Sequence, residues 1–150
     1  MLKEGDQAPA IKAETDTGEI FELAAHKGEK IILYFYPRAD TPGCTIEACE
    51  FRDSSKKITK KGALIVGVSP DTSKAQAKFK TKFDLPFILL ADADKTVAEA
   101  YGVMKEKNMY GKKVIGVART TFLIDEQGKI QKIFTNVKPE GHADQILESL

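Results

Sequence analysis

Apolar residues along this chain fall into short continuous runs and helical stripes rather than long alternating stretches. Lys30-Ile31-Ile32-Leu33-Tyr34-Phe35-Tyr36 and Ala63-Leu64-Ile65-Val66-Gly67-Val68-Ser69 are continuous β-branched and aromatic runs, the mark of strands covered on both faces. Between them, Cys44, Ala48, Phe51, Ser55 and Ile58 recur at spacings of 4, 3, 4 and 3, which predicts a helix from about Pro42 to Lys61 with one buried stripe. Strand, helix and strand in this order make a parallel crossover unit.

Around that unit the pattern is plainer. Residues 8–23 read as a β segment that turns at Asp16-Thr17-Gly18. Asp71 or Thr72 caps a helix carrying Ala75, Phe79 and Phe83, Leu85–Leu90 reads as a short strand, and Lys95–Tyr101 as a helix stopped by Gly102. Residues 104–113 are polar and are expected to form a surface loop, with Met104, Met109 and Tyr110 as candidates to cover something apolar. Val114–Val117, Thr120–Ile124 and Lys129–Thr135 read as strands, the last two joined through Asp125-Glu126-Gln127-Gly128. Pro139–Leu150 is a closing helix with Ala143, Ile146, Leu147 and Leu150 on one face. The expected fold is α/β: a central mixed sheet with helices on both faces and an N-terminal β-hairpin, the thioredoxin-like arrangement, in a single domain spanning residues 1–150.

Composition narrows function by exclusion. With 150 residues, 42% hydrophobic and 30% charged, the chain can bury one full core. Its formal charge is +1, which favours neither nucleic acid nor an anionic membrane as partner. The lysines at 56, 57, 60 and 61 read as a solvated helix end. Neither the Met1–Asp6 start nor any later run has signal-peptide or transmembrane character, so a cytoplasmic location is expected. There, two cysteines are more often reactive than a structural disulfide. They are too few for a closed zinc site, and neither His26 nor His142 sits at ligand spacing, so no metal or cofactor is expected.

Both cysteines lie at the start of the first long helix. Thr41 fits an N-cap and Pro42 the first helical position, which places Cys44 in the first turn. Unpaired backbone N–H groups and the positive end of the helix dipole favour an anion there, and such settings lower a cysteine pKa. Ligands of open α/β sheets gather at the carboxyl ends of strands, and the 31–36 strand ends just before this turn. Cys49 is rotated by roughly 140° from Cys44 on an ideal helix, with the two Cα atoms about 8.6 Å apart. A disulfide rarely tolerates more than about 7 Å, so joining the two requires the first turns to come apart. Glu47 reads as a first-turn acid that favours the helix.

The string Pro37-x-x-x-Thr41-x-x-Cys44 resembles the active-site signature of the peroxiredoxins, and Thr41-Pro42-Gly43-Cys44-Thr45-Ile46-Glu47-Ala48-Cys49 is similar to their Q, or bacterioferritin comigratory protein, subfamily. The likeness continues through Tyr101-Gly102-Val103, Met109-Tyr110-Gly111-Lys112 and Arg119-Thr120-Thr121-Phe122-Leu123-Ile124-Asp125, and so covers nearly the whole chain. It implies a thiol peroxidase that reduces hydrogen peroxide and organic hydroperoxides. Cys44 would be the peroxidatic cysteine, Cys49 the resolving one, Thr41 and Arg119 the rest of the peroxide site, and Pro37 its shield. Thioredoxin or a similar dithiol is the implied reductant, and a monomer the implied state, in keeping with the lack of an evident apolar edge strand. The loop over 104–117 matches less closely, which leaves substrate preference open.

Two other functions fit a helix-start cysteine. A dithiol-disulfide oxidoreductase shares fold and position but normally uses Cys-x-x-Cys, whereas four residues intervene here. A redox sensor would be oxidised once, without turnover. For a peroxidase, thiol acidity is the smaller lever. Lowering a thiol pKa from about 8.5 to about 6 raises the thiolate fraction at neutral pH roughly thirtyfold. The accompanying fall in nucleophilicity, at a slope near 0.4 to 0.5, takes back more than about tenfold. Most acceleration must therefore come from donors aimed at the breaking O–O bond, namely Arg119, Thr41 and the first-turn N–H groups.

Overall fold

A computed structural model describes residues 2–150, apart from the side chain of Met109. Its centre is a five-stranded sheet of β3 (Lys30–Phe35), β4 (Ala63–Ser69), β5 (Ile88–Ala91), β8 (Thr120–Ile124) and β9 (Ile130–Phe134), in the order β5-β4-β3-β8-β9. β3, β4 and β5 run parallel, while β8 and β9 are antiparallel, with Leu33 opposite both Val66 and Phe122. The two continuous apolar runs thus become the middle strands. Every residue from Ile31 to Tyr36 is buried, as expected where both faces are covered.

Two cores flank the sheet. On one side α1 (Pro42–Lys60), α2 (Ser73–Phe83) and α4 (His142–Ser149) pack through Cys44, Ala48, Phe51, Ile58, Phe79, Ala143 and Ile146 onto Ile32, Tyr34 and Tyr36. On the other, α3 (Thr96–Ala100) and the hairpin of β1 (Lys12–Glu14) and β2 (Ile20–Glu22) cover Ile31, Leu33 and Phe35. Thioredoxin-like architecture with an N-terminal strand pair is therefore what the chain adopts. Gly67 shows how closely the sheet is packed: a Cβ there would lie 2.9 Å from the Tyr34 ring, so that ring reaches across the next strand only because the position is glycine.

The largest departure from the sequence reading lies at 104–113. No loop forms there: β6 (Met104–Met109) and β7 (Lys112–Val117) make an antiparallel hairpin of their own, in register from Met104 opposite Val117 to Met109 opposite Lys112. Tyr110 and Gly111 form its two-residue turn with φ of +54° and +78°, the geometry that suits right-handed strand twist. The pattern was hidden because neither face is apolar and a tyrosine stands where Asn or Asp would have signalled the turn. Met104 packs against the core, Tyr110 is fully exposed, and the Met109 side chain lies outside the described residues. β7 also exposes Val114 and Ile115, the latter to 68%, so an outward apolar strand is present after all. Two boundaries move as well. Pro86 and Phe87 stay outside β5, and residues 139–141 precede α4 rather than open it.

Candidate active site

β3 delivers the chain to the site and stops at Pro37, half-buried at the strand's end. The loop that follows is pinned to the next strand: Asp71 accepts from the Ala39 N–H at 2.8 Å and from the Ser69 hydroxyl at 2.6 Å. Asp40, at a φ of +57°, pairs with Lys82 of α2. Thr41 then takes the N-cap position in extended conformation, and the first helical bond runs from the Thr45 N–H to its carbonyl. Its hydroxyl does not cap the helix, as the sequence had led us to expect; it donates to the Arg38 carbonyl at 2.9 Å and so closes the loop on itself.

Pro42, Gly43 and Cys44 are the first three helical residues, and Cys44 is 1% exposed. Arg119, in the connection between β7 and β8, arrives from across the sheet. Its Nη2 lies 3.4 Å from Cys44 Sγ, and its Nη1 donates to Glu47 Oε1 at 2.9 Å. Gly43 makes the approach possible: a Cβ there would stand 3.1 Å from Nη2 and 3.3 Å from the Pro139 ring. Burial works against the charge of Arg119, but the neighbouring Cys44 and Glu47 outweigh it and raise its pKa.

Glu47 is the residue the sequence reading placed wrongly. It belongs to no solvated first turn; it is 1% exposed, with Oε2 bonded to nothing among the described residues. Burial pushes its carboxyl up to about 7, even against the pull of the Arg119 guanidinium. A signal was available. Position 47 is one turn from Cys44 and flanks a mostly apolar stripe, and an acid held there needs a buried cation.

Cys49 is half-buried on another side of α1, and both cysteines are free thiols. Beyond it Arg52 donates to the Phe83 carbonyl at 2.8 Å and Glu50 accepts from the Gly141 N–H at 2.8 Å. His142 is buried against Phe51 and Phe134, bonds to Thr121 at 2.7 Å and Gln145 at 2.9 Å, and has its pKa lowered by burial. Among the described residues no three His, Cys, Asp or Glu side chains are grouped to hold a metal ion, and no helix is long and apolar enough to cross a membrane. Of the expected site residues, the structure brings Cys44 and Arg119 into contact and sets Thr41 one turn before the sulfur. Pro37 stands at the strand end that opens the loop, and Cys49 lies further along the helix.

A basic donor fixed beside a buried sulfur at a helix start is suited to attack on a polarised oxygen, and the chain's likenesses agree. Residues 4–133 match the model of the AhpC/TSA family. The chain is 50% identical over 149 residues to a putative peroxiredoxin bcp of Coxiella burnetii, covering 99% of each. It is 45% identical to peroxiredoxin Bcp of Bacillus subtilis, covering 97% of this chain and 93% of that one. Among solved structures, the bacterioferritin comigratory protein of Xanthomonas campestris, studied for alkyl peroxide reduction, superposes with a TM-score of 0.91 at 37% identity, over 98% of this chain and 96% of that one.

Proposed function

Since the chain belongs to the AhpC/TSA family and is a thiol-dependent peroxidase of the peroxiredoxin kind, we propose that Cys44 is its peroxidatic thiol and Arg119 the donor that activates the peroxide. The observation that carries this assignment is the 3.4 Å approach of Arg119 Nη2 to Cys44 Sγ. A guanidinium so placed can bond to the oxygens of a hydroperoxide as they meet the sulfur, where charge develops as the O–O bond breaks. Glu47 holds the other arm of the fork and fixes its direction.

In the proposed cycle the Cys44 thiolate attacks the terminal oxygen of hydrogen peroxide or an organic hydroperoxide. A sulfur-oxygen bond forms, the O–O bond breaks, and the leaving oxygen departs as water or an alcohol after taking a proton. Cys49 then displaces the hydroxide of the sulfenic acid to give a disulfide, which thioredoxin or a similar dithiol reduces. Thr41, at the N-cap, closes the preceding loop through its bond to Arg38, and Pro37 is assigned the shielding of the sulfur that the peroxiredoxin likeness implies. We place the protein in the cytoplasm. A monomer remains our reading, because two exposed apolar side chains on one short strand fall short of the patch of several hundred Å² that marks an obligate partner surface.

The test is steady-state peroxide consumption with a thioredoxin system. Cys44→Ser should abolish turnover while leaving the fold intact, and retained turnover refutes the assignment. Cys49→Ser should stop as sulfenic acid after one turnover; undiminished multiple turnover would make Cys49 dispensable.

A further inference from the structure

We propose that Glu50 is a positioning residue for the second half of the cycle: by fastening α1 to the N-terminus of α4, it sets how fast the Cys44 sulfenic acid reaches Cys49. This rests on the assignment of Cys49 made above. In the step concerned, the S–O bond of the sulfenic acid breaks, an S–S bond forms, and the hydroxide leaves as water with the proton of the Cys49 thiol.

The geometry supplies the reason. On an intact helix the two sulfur-bearing residues have Cα atoms about 8.6 Å apart, beyond disulfide reach, so the helix must loosen before they can meet. Beside the buried stripe of α1, one short segment from Val137 to Gly141 borders both ends of the stretch that must loosen. Val137 donates to the Arg119 carbonyl at 3.1 Å, the Pro139 ring crowds Gly43, and Gly141 N–H donates to Glu50 Oε1 at 2.8 Å. Glu50 is the point at which this segment grips the turn holding Cys49. Gly141 is the N-cap of α4, where unpaired donors and the helix dipole favour a carboxylate. On the opposite side, Arg52 ties the same turn to the end of α2 through the Phe83 carbonyl. Cys49 is thus held between two tethers, and the Glu50 tether lies on the segment that also borders the peroxidatic end.

Glu50 acts in a second way, with the opposite sign, and this makes the proposal testable. Burial raises the pKa of Glu47, and the charge of Glu50 adds to it, which weakens the Glu47–Arg119 pair. Removing the Glu50 charge alone therefore tightens that pair and slows loosening. Removing the acceptor frees the turn and hastens it.

Rapid-quench mass spectrometry on the whole protein, with hydrogen peroxide as oxidant, separates sulfenic acid from disulfide. Glu50→Ala should accelerate disulfide formation by about two- to tenfold, the worth of one partly exposed charge-assisted bond, while the rate of sulfenic acid formation, felt only through the Glu47–Arg119 pair, changes by less than about twofold. It should also lower the fraction trapped as sulfinic acid at high peroxide. Glu50→Gln, which keeps an acceptor and drops the charge, should resolve no faster than wild type. Disulfide formation in Glu50→Ala at or below the wild-type rate, or equal acceleration in both variants, overturns the proposal. If wild type forms no Cys44–Cys49 disulfide at all, the assignment of Cys49 fails first.

Discussion

Arg119 sits between two regions built by opposite means. On one side, the inner face of the first two turns of α1 is buried and holds an ion pair, with Cys44 and Glu47 both nearly inaccessible. On the other, the β6–β7 hairpin is held by its own ladder and an exposed Lys113–Glu106 pair at 3.6 Å. A charge is felt strongly only where water is excluded, so a guanidinium beside a buried sulfur can polarise a bound peroxide, whereas the lysines of the hairpin are largely screened. Proximity to the site is thus not membership of it. Burial decides which neighbours can act on the chemistry.

The sharpest way to break this contrast is to remove the shared residue. Arg119→Ala should lower the second-order rate of Cys44 oxidation by about 10²- to 10³-fold, the usual loss of one preorganised donor. Arg119→Lys should recover only part of it, because an ammonium offers no fork to contact Glu47 and the sulfur together. A loss under about fivefold for the alanine variant would show that the buried contact contributes little beyond what water supplies.

Glu47 gives the next largest effect, read as stability. Its folded pKa is raised to about 7 from an ordinary 4.5. The folded state therefore binds its proton more tightly than the unfolded chain does. That contribution is complete below about pH 4.5 and is lost as pH rises towards about 7, up to about 3 kcal/mol in all. Denaturant midpoints measured from about pH 4.5 to about pH 8 should fall more steeply for wild type than for Glu47→Gln, which has no proton to lose. Parallel curves for the two proteins would mean that Glu47 is solvated in the native state.

How far the sequence revealed these regions follows from the same division. The central strands and α1 were legible because burial leaves a periodic trace: continuous apolar runs at 31–36 and 63–69, and a stripe from Cys44 to Ile58. Cys44, Thr41 and the helix start were legible because Thr-Pro is a local signal. Arg119 was not, since 75 residues separate it from the sulfur and only the likeness to the peroxiredoxins marked it. Glu47 was misread because an acid near a helix start has a common solvated explanation, and its partner lies 72 residues away in the connection between β7 and β8. β6 and β7 were half missed because a strand pair that buries little beyond Met104 and Val117 at its base writes no alternation into the sequence, and Lys105, Glu106, Lys107 and Asn108 read as loop.

The smallest expected effect tests the hairpin itself, at a residue coupled to Arg119. Lys107 Nζ donates to the Val117 carbonyl at 2.6 Å, two residues before Arg119. Its pKa is lowered, by partial burial first and then by the charge of Arg119. Lys107→Met deletes that bond and one positive charge while keeping the aliphatic stem that lies over Gly116. If the hairpin only borders the chemistry, Cys44 oxidation should change by less than about threefold and stability by no more than about 1 kcal/mol. Losing one repulsive cation should, if anything, steady Arg119. A fall beyond about tenfold in the oxidation rate, with the fold intact, would place the Lys107 ammonium among the groups that meet the peroxide. The site would then have two cationic walls rather than one.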